Sequence, residues 1–161
     1  MMRRATWVPL AASIAGLGLV VAFDASGQSG PPSIPDEVVR RMLERGLQNI
    51  DRAVCDGFNT CAPTTASELE NPPITFEQAR SALLAGTRTA LARWCGLDAD
   101  RRSVLPMTRH LRKVLRFNNR QMALMAVIHS IQQSAVAEQL NARGTCDEAT
   151  RSKLDAQLPR T

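Results

Sequence analysis

The stretch Asn118-Asn119-Arg120-Gln121-Met122-Ala123-Leu124-Met125-Ala126-Val127-Ile128-His129-Ser130-Ile131 decides the fold class. Asn118 followed three residues later by Gln121 is a helix-capping pair: the Asn side chain accepts from the third helical amide while Gln121 reaches back to the amide of Asn118. From Met122 to Ile131 eight of ten residues are apolar, His129 and Ser130 being the exceptions. A helix that is apolar nearly all round sits in the middle of its bundle. Gly144, directly after Arg143, ends it.

The same punctuation recurs on either side. Thr75-Phe76-Glu77-Gln78 is a capping box, and it opens a helix with an apolar stripe through Leu83, Leu84, Ala90, Leu91 and Trp94. Gly96 stands where that helix needs a left-handed stop, and Trp94 is expected to be buried. Thr145-Cys146-Asp147-Glu148 is a third box, opening a short last helix to about Leu158. From Asp36 to about Val54, the residues Val39, Met42, Leu43, Leu47, Ile50 and Val54 recur at spacings of three and four, with Asp36 and Glu37 in the first turn. Cys55 to Pro73 has no period and holds three prolines, which predicts loop. Asp98 to Phe117 places Val104, Thr108, Leu111 and Leu115 on one helical face, with a kink expected at Pro106.

No strand and no internal repeat is expected, so residues 36–161 read as an all-α domain, a small bundle of four to five helices. Composition agrees: 44% apolar residues, 4% aromatic and no Tyr argue against a β-sandwich and against general disorder, and 161 residues leave no room for a two-domain enzyme.

Residues 1–27 read as a signal peptide or a membrane anchor. Arg3 and Arg4 precede nineteen uncharged residues, Ala5 to Phe23, a run interrupted by Pro9, Ser13, Gly16 and Gly18. Its length lies between a signal core of about 7 to 15 residues and a spanning helix of about 20, and the interruptions favour cleavage, after Ala22 or Gly27. In either case the arginines hold the N-terminus inside and the folded part is exported. Residues 28–35, Gln-Ser-Gly-Pro-Pro-Ser-Ile-Pro, form a linker.

Cys55, Cys61, Cys95 and Cys146 all follow the signal, an even count suited to two disulfides in an oxidising compartment. Three connectivities are open. The favoured one joins Cys55 to Cys61 across a short loop and Cys95 to Cys146 at two helix ends. Their spacings match no zinc or CxxC module, so no metal is expected.

The charge is local. Between Asp98 and Arg120 there are seven basic residues against two acidic, whereas the rest of the chain beyond Gly27 has eleven against twelve. Arg109, Lys113 and Arg116 fall opposite the apolar face, and together with Arg112 they form the candidate site: a surface for an anionic partner, either a protein or an anionic component of the bacterial envelope. The competing explanation is an ordinary solvated helix face. Export argues against nucleic acid, and membrane contact is expected only through the N-terminal run. No catalytic motif and no cofactor signature occurs, which favours a non-catalytic accessory protein. Two alternatives stand beside it: an anchored subunit of an envelope complex, and a cell-wall-active enzyme, which would need a cleft gathering Glu77 or Glu138 with His129. His129 and the methionines Met107, Met122 and Met125 are expected in the core.

Overall fold

The structure, a computed structural model, describes residues 34–159; the expected signal or anchor and the linker up to residue 33 lie outside the described residues. Helix α1 spans Asp36–Gln48, opened by Pro35, whose carbonyl accepts from the amides of Val38 and Val39, with Asp36 and Glu37 in the first turn. It buries Val39, Leu43 and Leu47, and a 3-10 turn, Ile50–Arg52, adds Ile50 to the core. The helix ends earlier than its apolar period suggested, and Val54 is exposed.

Val54 instead starts a two-stranded antiparallel hairpin, β1 (Val54–Asp56) and β2 (Asn59–Thr60), closed by the Cys55–Cys61 disulfide and turned at Gly57 with φ 61°. The expectations of no strand and of loop throughout 55–73 are therefore corrected. A ladder this short carries no readable alternation, and the disulfide and the left-handed glycine hold it in place of a hydrophobic face. The same segment contains α2, Ala66–Glu70, whose N-cap Thr65 and Glu68 form a reciprocal capping box.

Helices α3 (Phe76–Trp94) and α5 (Asn119–Arg143) form the centre, each opened by the capping box read from its sequence. They run side by side in the same direction: Gln121 Nε2 donates to the Pro73 carbonyl at one end (2.8 Å), and Trp94 Nε1 donates to the Gly144 carbonyl at the other (2.7 Å). Trp94 is thus half-buried, because its indole N–H must reach that carbonyl. Between these ends the helices touch at Gly86, where an added Cβ would lie 2.6 Å from the His129 carbonyl oxygen. Leu83, Leu124, Met125 and Ile128 fill the main core with the buried face of α1. After α3 the chain turns at Gly96 (φ 67°), with Leu97 N donating to Ala92 O and Gly96 N to Arg93 O.

The segment is one continuous helical run, in which a π-helical turn, Asp100–Val104, leads directly into α4, Leu105–Lys113. Pro106 sits at the start of α4, directly after the π turn, so the irregular hydrogen-bond spacing falls beside the residue that lacks an N–H. Leu111 and Phe117 are buried. The helix stops at Lys113 and the chain reverses through Arg116 at φ 57°, so Leu115 is not on the inner face with Leu111 but 41% exposed, and Val114 is 63% exposed.

The last helix, α6 (Glu148–Gln157), is capped by Asp147, which accepts from Thr150 N (2.8 Å); Asp147 therefore takes the place of the Thr145 box. Leu154 and Leu158 pack with Ala92, Cys95 and Ala99 in a second, smaller cluster. The Cys95–Cys146 disulfide and Arg102, which reaches Asp155 and the carbonyls of Leu158 and Pro159, fasten this cluster to α3. The fold is a helical bundle with both expected disulfides, and no described helix is long and apolar enough to cross a membrane.

Candidate functional site

The seven basic residues between Asp98 and Arg120 separate into two groups once their partners are known. Arg101 lies 4.0 Å from Asp98, Arg102 is taken up by Asp155 and the end of α6, and Arg120 by Glu68. Arg120 also donates to the carbonyls of Ala62 (2.7 Å) and Pro63 (3.3 Å). The remaining four, Arg109, Arg112, Lys113 and Arg116, are exposed and make no ion pair among the described residues. Arg112 reaches only the Phe117 carbonyl, at 3.4 Å.

Arg109, Arg112 and Lys113 project from the last turns of α4, while Arg116 lies beyond the helix at the left-handed residue that reverses the chain. The four therefore surround the end of a helix; they do not line one straight face. Two carboxylates reach the first turn of α5, a few residues further along the chain, and both are engaged: Glu68 by Arg120, and Asp56 by Asn119 Nδ2 at 2.5 Å. The Arg120 guanidinium holds the Glu68 carboxyl down at about 2, well below the usual carboxylate range, with Thr65 assisting. Neither acid is oriented to neutralise the four cations.

His129 is buried, and its Nε2 lies 3.0 Å from Thr89 Oγ1, which in turn lies 2.8 Å from Ser103 Oγ. Thr89 Oγ1 also lies 2.9 Å from the Ala85 carbonyl, so one hydroxyl joins three partners, with the His129 ring nitrogen and the Ser103 hydroxyl as the other two. This polar link ties α3, α5 and the π turn together inside the core. Burial, and secondarily the charge of Arg93, lowers the pKa of His129 and keeps it neutral. Glu77 lies at the exposed start of α3 on Arg80, and Glu138 is exposed near the far end of α5, so the structure does not gather either with His129.

Met125 is buried, and Met107 and Met122 pack against the same core, as their helical spacing suggested. An open groove of about 510 Å³ runs between α5 and the 3-10 turn with β1, walled by Ala123, Ala126, Val127, Ile131, Ala53 and Val54. It is apolar and brings no set of ionisable groups together. Comparison with protein-family models, curated proteins and solved structures finds no match to this chain.

Two features lay beyond the sequence reading. The Glu68–Arg120 pair was half-visible, since Thr65-x-x-Glu68 is a capping pattern, but its arginine is 52 residues away. The Thr89–Ser103–His129 link carried no local signal, because its members come from three separate elements.

Proposed function

We propose that this protein is an exported, non-catalytic helical binding protein of the bacterial cell envelope, and that it engages an anionic partner through the end of α4. One observation carries the reading: Arg109, Arg112, Lys113 and Arg116 lie within eight residues, exposed and unpaired among the described residues, while Arg102 and Arg120 tie distant elements together and Arg101 stands beside Asp98. Clustered cations without counter-charges produce a local positive potential that attracts and orients an anionic surface. Export is supported by the two disulfides, which persist in oxidising compartments, and by the arginine-flanked apolar run of residues 5–23.

The test is equilibrium binding of a soluble polyanion, polyphosphate, by the wild type and by R109E/K113E/R116E. The variant binds at least tenfold more weakly and keeps its helical circular dichroism, because exposed charges add little to stability. Unchanged affinity removes the proposal.

A further inference from the structure

Three elements converge on the N-terminal end of α5. The hairpin is fastened there through Asp56 and Asn119, α2 through Glu68 and Arg120, and the end of α4 through the five residues that join it to Asn119. Each exposes large apolar side chains next to its attachment. Phe58 is fully exposed at the hairpin tip, Leu69 on α2 is 58% exposed, and Val114 and Leu115 project beside the four unpaired cations. Four of the six large apolar residues that the described chain exposes therefore lie within a few residues in sequence of groups tied to the first turn of α5. Single exposed apolar residues are ordinary, but apolar residues grouped and interleaved with cations mark a surface that meets something both apolar and anionic.

The geometry points to an anionic phospholipid bilayer as the partner of this end: Phe58, Val114 and Leu115 enter the headgroup–acyl boundary while Arg109, Arg112, Lys113 and Arg116 contact the phosphates. This rests on the proposed anionic partner and narrows it to a lipid surface, so that membrane contact is not confined to the N-terminal run. Charge complementarity selects the occupant. A second copy of the same end would set four unpaired cations against four, whereas an anionic leaflet offers phosphates at headgroup depth and hydrocarbon just beneath. Phe58 stands fully exposed inside the short loop that the Cys55–Cys61 disulfide closes.

The experiment uses the full chain with vesicles of phosphatidylglycerol and phosphatidylcholine in equal amounts, against phosphatidylcholine alone. F58W reports the hairpin tip: its added emission shifts to the blue and is quenched by brominated phosphatidylglycerol. R109Q/R112Q/K113Q/R116Q abolishes that quenching, with apparent affinity falling on the order of 100-fold. V114S/L115S also weakens it while leaving polyphosphate binding intact. Three results overturn the inference: vesicle binding with no quenching at position 58, as capture by residues 5–23 alone gives; binding indifferent to V114S/L115S; or polyphosphate binding by the four cations without vesicle binding. The last leaves the anionic-partner reading standing, whereas polyphosphate affinity unchanged by charge reversal removes both.

Discussion

Arg120 holds Glu68 through both Nε and Nη2, and in doing so joins α2 to the first turn of α5. Both side chains are more than three-quarters buried, so removing either leaves the other's charge largely desolvated and uncompensated. Because Glu68 titrates at about 2 in the folded chain and near 4.5 when unpaired, the pair contributes its full stability above about pH 4.5 and loses it as pH falls toward about 2. Arg120→Ala is expected to cost about 2 kcal/mol at neutral pH. E68Q is expected to flatten the acid limb of the stability curve; an unaltered acid limb in thermal melts contradicts the assignment.

His129 gives a second pH dependence. Its folded pKa is lowered by burial, so the unfolded chain binds the proton more readily and stability is complete above about pH 6.5. It declines as pH falls through that value toward the folded pKa. His129→Gln removes this slope, and Thr89→Val, which leaves Ser103 and His129 without their common hydrogen-bond partner, costs about 1 to 3 kcal/mol. A wild-type melting temperature constant between about pH 7.5 and about pH 5.5 contradicts the account.

Gly86 sets how closely α3 and α5 approach. Alanine there meets the His129 backbone carbonyl, which cannot rotate aside, so Gly86→Ala is expected to destabilise by about 1 to 3 kcal/mol despite alanine's better helix propensity. Chemical denaturation measures it, and a stabilised variant contradicts the packing described.

The two disulfides are expected to contribute unequally. Cys95–Cys146 spans 51 residues and Cys55–Cys61 only six, which on a chain-entropy argument is about 4 against about 2 kcal/mol. C95S/C146S therefore lowers the melting temperature more than C55S/C61S, and equal losses contradict this. Intact mass of protein purified from cell envelopes, read before and after reduction and alkylation, is expected to begin near Phe23 or Gln28 with four protected thiols. A full-length mass identifies an anchored subunit.

Legibility followed the range of the interactions. The caps of α3 and α5 and the stop at Gly96 are set within four residues, and each formed where its residues indicated. The cysteine pairing follows from a short loop and two helix ends, and both bridges form as those features indicate. Arg102 and Arg120 counted in the sequence only toward the local charge excess, because their partners Asp155 and Glu68 lie more than fifty residues away. Leu115 read as core because the helical period was carried past Lys113, and nothing local announces that Arg116 reverses the chain. The cationic site was legible as a charge excess, but which four arginine and lysine side chains stay free is a tertiary property.

The most direct test of that site compares position with net charge. R109Q/R112Q/K113Q/R116Q and R45Q/R88Q/R143Q/R151Q remove the same number of exposed, unpaired positive charges, the first from the end of α4 and the second from scattered surface positions. Polyphosphate affinity measured side by side is expected to collapse in the first and to fall only slightly in the second. Equal losses in the two variants would mean that the protein binds anions through its overall charge, and that the end of α4 is an ordinary solvated surface.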